Sequence, residues 1–182
     1  MITFIALLRG INVSGQKKIK MTDLGSVLRQ LGLQEVVTYI QSGNVVFKTS
    51  EVDPKKLAVK IHNALEANFG FDIHVVVRTK TELERILVQS PYKDPKAIEA
   101  NKIYYVLLHE EPDGELIQDF VGETFINEQF VITKDCVYLA CSNGYGKAKL
   151  NNNLIERKLK VAATTRNHRT LTKLLELAEE MT

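Results

Sequence analysis

Apolar and polar positions switch between two periods along this chain, and the switches mark its elements. The opening run 2–8 is apolar but for Thr3, which predicts a buried strand over residues 3–8, and residues 9–20 form a long loop rich in Gly, Asn, Ser and Lys. Helical spacing follows at Leu24, Val27, Leu28 and Leu31, with Thr22 as the expected N-cap and Gly32 as the stop. Residues 36–41 and 45–49 read as strands flanking Ser42, Gly43 and Asn44, a composition that supplies a positive φ where a hairpin needs one. Asp53 and Pro54 then open a second helix through Leu57, Ile61, Ala64, Leu65 and Phe69, closed by Gly70, and residues 73–78 form a fourth strand. The order βαββαβ is the ferredoxin-like arrangement, an antiparallel sheet expected to be covered on one face.

The pattern partly repeats after a connecting helix at residues 81–90 and a polar stretch at 92–101. A strand at 103–109, a helix at 114–121, strands at 130–133 and 137–141, and a helix at 153–158 lead to a final amphipathic helix at 169–181. The chain is therefore expected to be α+β with two consecutive subdomains, residues 1–90 and 91–182. The first is ferredoxin-like; the second is a related but incomplete βαββα unit with a C-terminal helix in place of its fourth strand.

Composition leaves this picture in place: of 182 residues, 45% are hydrophobic and 25% charged, which is ordinary for a globular chain that buries a core without disulfides or metal. The opening apolar run is seven residues long with no basic stretch before it, too short for a membrane span and unlike a signal peptide. Cys136 and Cys141 lie five apart in a strand, so they face opposite ways and are expected to be reduced core thiols of a cytoplasmic protein.

Charge sharpens the functional question. Residues 1–50 carry 6 Lys or Arg against 2 Asp or Glu, and residues 142–173 carry 8 against 1, whereas residues 51–141 carry 10 against 16. If these two basic segments meet in one surface they favour an anionic partner, either a phosphate-bearing ligand or a nucleic-acid backbone; held apart, each is a solvated face.

The glycine loop after the first strand, residues 10–17, misses the P-loop pattern, because Gln16 and Lys17 stand where Lys and then Ser or Thr are required. A looser anion site remains open there, with Arg9, Gly10, Asn12, Lys17 and Lys18 as its residues. The loop at residues 144–149 also misses, with Ala148 in the magnesium-binding place, and reads as a turn leaving a strand. Arg166, Asn167 and Arg169 sit where the last helix begins, so Asn167 or Thr165 is expected to cap it and the two arginines to add charge at its N-terminus. The expected site is one basic cleft between the subdomains that joins this group to the first.

Catalytic patterns are sparse. The histidines at 62, 74, 109 and 168 are scattered and none lies in a zinc-binding spacing, so neither a metal nor a cofactor is expected. The third strand offers one aromatic, Phe47, and lacks the signature of an RNA-recognition sheet. An anion-binding module ranks first, ahead of an enzyme acting on a small phosphorylated substrate and of a structural or oligomeric interaction protein.

The segments Ala6-Leu7-Leu8-Arg9-Gly10-Ile11-Asn12-Val13, Lys20-Met21, Tyr39-Ile40-Gln41-Ser42-Gly43-Asn44-Val45-Val46-Phe47 and Thr164-Thr165-Arg166-Asn167 resemble the bacterial family catalogued as domain of unknown function 1697. The resemblance implies two α+β subdomains, the first ferredoxin-like, and implies no activity. One departure is His168, where members of the family usually have Trp after the Arg-Asn pair: a packing role passes to a flat imidazole, whereas a ligand-stacking role does not pass so readily.

Overall fold

The apolar runs near the N-terminus become the centre of a four-stranded antiparallel sheet. The computed structural model describes residues 1–181. The fold is α+β and divides into two units, Met1–Glu84 with Lys173–Thr182, and Arg85–Thr172. In the first unit the order is β1 (Ile2–Leu8), α1 (Met21–Gln30), β2 (Gln34–Tyr39), β3 (Asn44–Thr49), α2 (Pro54–Phe69) and β4 (Val75–Thr79), with the sheet ordered β2-β3-β1-β4. This is the ferredoxin-like arrangement.

One face of the sheet presents Phe4, Ala6, Leu8, Val45, Phe47, Val75 and Val77 to Leu24 and Leu28 of α1 and to Leu57, Ile61 and Leu65 of α2. The rings of Phe4 and Phe47 meet across the β1–β3 pair at 6.1 Å. Each large side chain buried here contributes roughly 1.5–3 kcal/mol. The other face, with Ile5, Leu7, Val46 and Val76, is buried as well, contrary to the expectation of a sheet covered on one side only. Continuous apolar runs such as Val45-Val46-Phe47 are what a doubly buried strand requires, whereas a half-solvated strand alternates.

The ends of α2 follow their sequence signals. Asp53 accepts hydrogen bonds from the N–H groups of Lys55 and Lys56, Pro54 takes the first turn, and Gly70 closes the helix at φ +70°. At α1 the signal misleads: Lys20 occupies the cap position without a side-chain hydrogen bond, and Thr22 lies inside the helix. Buried Ile19 and the core contact of Met21 start this helix two residues early, so packing overrides the cap preference.

The second unit holds α4 (Pro95–Glu99), β5 (Ile103–Leu108), α5 (Gly114–Val121), β6 (Glu128–Ile132), β7 (Cys136–Cys141), α6 (Asn152–Leu159) and β8 (Ala163–Asn167); its sheet is ordered β6-β7-β5-β8. The connecting helix α3 spans Lys80–Val88 and the last helix, α7, spans His168–Glu180. The expected gap in this unit is filled: β8 is the fourth strand, antiparallel to β5 from Tyr104↔Asn167 to Leu108↔Ala163. Ala-Thr-Thr-Arg-Asn has no large aliphatic residue, so hydrophobic periodicity passes over it, although paired threonines suit a pleated strand. The second unit therefore has the same order of elements and strands as the first.

Its helix-facing core joins Val106, Leu108, Val137, Leu139 and Cys141 to Phe120, Ile155 and Leu159. On the reverse face Tyr105 meets Tyr138 edge-on at 5.7 Å, and the Tyr138 hydroxyl donates to the Ile86 carbonyl at 3.1 Å. Cys136 and Cys141 are free buried thiols, with Cys141 pushed up to about 11 by burial, so it stays a thiol at neutral pH.

Candidate functional site

β1 ends at Leu8, and the Arg9 N–H carries the ladder one step further by donating to the His74 carbonyl at 2.9 Å. Gly10, at φ +66°, then turns the chain out of the sheet. Residues 12–17 fold back as a small hairpin. The Asn12 N–H donates to Lys17 O at 3.2 Å and the Gln16 N–H to Val13 O at 2.9 Å, with Val13 and Gln16 bridged. Ser14 (φ +49°) and Gly15 (φ +76°) occupy the two central positions, the left-handed pair of a type I′ turn.

Asn12 anchors this hairpin. Its amide donates to Ile19 O at 2.9 Å and to Gln41 O at 2.8 Å, and its carbonyl oxygen accepts the Ile19 N–H at 2.9 Å. Ile11 and Ile19 on either side are buried. Ile11 packs where Gly43 leaves room: a Cβ on Gly43 would stand 2.7 Å from Leu8 Cβ and 2.8 Å from Ile11 Cδ1, and Gly43 has φ +76°. Buried Asn44 beside it donates to Tyr39 O at 3.0 Å and Ser42 Oγ at 2.9 Å. The positive φ expected in the Ser42–Asn44 turn is thus at Gly43, and Ile40 adds a second at +48°.

Of the first group of expected site residues, Arg9, Gly10, Asn12, Lys17 and Lys18 therefore share one ordered loop. Lys18 is exposed, while Arg9 and Lys17 are half-buried. The Lys17 ammonium donates to the Asp72 carbonyl, which leaves two of its three protons for other acceptors. The loop projects as a hairpin and the chain reaches α1 only at Met21, so it forms no P-loop cradle.

In the second group the residues separate. Arg166, expected as a surface charge at the helix N-terminus, is buried within β8 opposite Tyr105. Its guanidinium donates to Thr164 Oγ1 at 3.0 Å and Thr165 O at 2.8 Å, and burial lowers its pKa to about 10. Asn167 is the cap, its Oδ1 accepting the Thr170 N–H at 2.8 Å. Arg169 is exposed on the first turn of α7. The His168 Nδ1 lies 2.8 Å from the Tyr105 hydroxyl, and burial holds the imidazole below its ordinary pKa.

At the Gly144 loop the backbone donors are already engaged. The Glu128 carboxylate accepts the N–H groups of Lys149 and Leu150 at 2.8 and 2.7 Å, so donors that would greet an anion already hold one. Among the described residues no three His, Cys, Asp or Glu side chains come together to hold a metal ion.

Sequence reasoning missed the neighbours of the first loop. The His62 Nδ1 stands 2.9 Å from the Ile73 carbonyl, and the rings of His62 and His74 stack at 6.5 Å. The ferredoxin-like order itself carries the signal, because it places the exit of β1 beside the start of β4.

Residues 1–138 match the sequence model of a family described as "Protein of unknown function (DUF1697)". The chain belongs to this family. Its fold is similar to that of a solved structure, the conserved bacterial protein SP0830 from Streptococcus pneumoniae, at a TM-score of 0.76 and 22% identity over 98% of this chain and 99% of that one. A comparison with curated proteins found no match. No helix among the described residues is long and apolar enough to cross a membrane.

Proposed function

We propose that the protein is a binding module for an anionic, phosphate-bearing ligand, with the hairpin loop of residues 9–18 as its contact surface. The observation that carries this is backbone strain in a basic loop. Three residues other than glycine, Asn12, Ser14 and Lys17, are held at positive φ between Arg9 and Lys18. Each such residue costs of order 1 kcal/mol or more and persists only where the surroundings over-determine it. Asn12 supplies that determination with three hydrogen bonds, and a loop ordered in advance loses less freedom when a ligand arrives. The cations it holds are Lys17, Lys18 and Arg9, in a segment whose charge excess is positive.

Calorimetric titration with tripolyphosphate tests the reading. Affinity should fall steadily with added salt and drop about tenfold in a Lys17→Ala, Lys18→Ala double variant, as loss of two phosphate-facing charges requires. Absence of binding, or binding indifferent to salt and to both substitutions, refutes it.

A further inference from the structure

We infer that His62 and His74 belong to the same anion site and make its affinity rise on acidification, an inference that rests on the anion-binding function of the hairpin loop. The contacts link three elements. Lys17 from the hairpin holds the Asp72 carbonyl; the next carbonyl, Ile73, faces His62 Nδ1 at 2.9 Å; the His62 ring stacks on His74 with 24° between the planes; and the His74 carbonyl takes the Arg9 N–H. Continuing the β1–β4 register from Leu8↔Val75 sets Arg9 opposite His74, and directly opposed residues of an antiparallel pair put their side chains on one face.

The chemistry of His62 makes protonation decisive. A carbonyl only accepts, so Nδ1 carries the proton shared with Ile73 O, and in the neutral ring Nε2 is then an acceptor that repels an oxyanion. A second proton converts Nε2 into a charged donor. His74 is exposed and His62 keeps 29% of its side chain accessible. The charged groups around them are Arg9 and Lys17, Asp72, whose carboxylate lies 3.8 Å from His62 Nδ1, and Glu66, one helical turn along α2. With Asp72 offsetting one of the two permanent cations, each imidazole proton is a large fractional gain in local positive charge. The ligand chemistry is that of a phosphate or sulfate oxyanion.

The test uses the intact protein and two probes that keep their charge over the working range, sulfate and oligothymidylate, each titrated at about pH 8 and about pH 5.5 at constant ionic strength, a range that spans histidine ionisation. Binding of at least one probe should tighten about tenfold on acidification, and the His62→Gln, His74→Asn variant should lose that gain. A gain confined to sulfate identifies a small ligand, and a gain with oligothymidylate a phosphodiester backbone. A second readout needs no variant: bound anion should raise the midpoints of the His62 and His74 ring titrations followed by NMR. Binding that is equal at both pH values, a gain that survives the double substitution, or ring midpoints indifferent to the probe overturns the histidine inference and leaves the anion reading standing. Absence of binding at either pH overturns both.

Discussion

The two units follow one strand order and repeat one pair of backbone hydrogen bonds, yet they differ at the exit of the first strand. Leu8 and Arg9 donate to Gly43 and His74; Leu108 and His109 donate to Asp135 and Ala162. From there the first unit takes residues 9–20 to reach its helix and the second only 109–113. The longer connection carries Arg9, Lys17, Lys18 and Lys20; the shorter carries Glu110, Glu111 and Asp113, the last of which caps α5. Where Arg9 faces His74 in the first unit, His109 faces Ala162 in the second. Shared topology thus dictates which backbone groups meet at this corner, and the inserted loop dictates what the corner attracts. The candidate anion site belongs to one unit only.

The harshest way to break this comparison is Gly43→Val. Left-handed strain on a β-branched residue, together with a Cβ pressed into Leu8 and Ile11, should cost about 4 kcal/mol and lower the thermal midpoint by about 10 °C. Asp135→Val at the equivalent corner should cost less, since it removes only the ion pair with Arg85 and the contact with Thr133. Equal losses would mean that the two corners are built alike.

Next in size is Arg166→Ala, expected to cost about 3 kcal/mol in chemical denaturation because it opens a cavity and strips charge-assisted hydrogen bonds from a buried strand. Asn12→Ala should cost about 2 kcal/mol by releasing the hairpin from Ile19 and Gln41, and it should weaken tripolyphosphate binding as well. Unchanged affinity in a folded Asn12→Ala protein would detach loop order from binding.

A smaller effect depends on pH. His168 has its folded pKa lowered by burial, so below the unfolded value, about 6.5, the unfolded chain binds more protons than the native one. The stability due to its neutral form is complete above that value and is lost as pH falls, levelling off below the folded pKa. Unfolding midpoints measured from about pH 7.5 to 5 should show this slope in the wild type and a shallower one in His168→Phe. The smallest effect is that of Arg169→Ala, which should leave stability within about 0.5 kcal/mol, since the side chain is exposed.

Much of this was legible in the residues. The first unit announces itself through Leu24, Val27 and Leu28 on one helix, Leu57, Ile61 and Leu65 on the other, and Gly43 between two strands. The left-handed demand at Gly43 and the capping by Asn167 are local chemistry, and both are found where composition put them. β8 was not legible, because Thr164 and Arg166 acquire their burial from a neighbour, β5, more than fifty residues away. The same reason hid the fate of Arg166: a charged residue reads as solvated until its surroundings are known.

Sequence alone determined the periods of the elements, the turn chemistry and the imbalance of charge, since each depends on residues a few positions apart or on a simple count. Tertiary structure alone decided that the basic loop is an ordered hairpin, that His62 and His74 stand beside it, and that Arg166 is interior. Those outcomes follow from strand pairing, and which strands pair is set by burial across the whole unit, a sum over distant residues that no local pattern records.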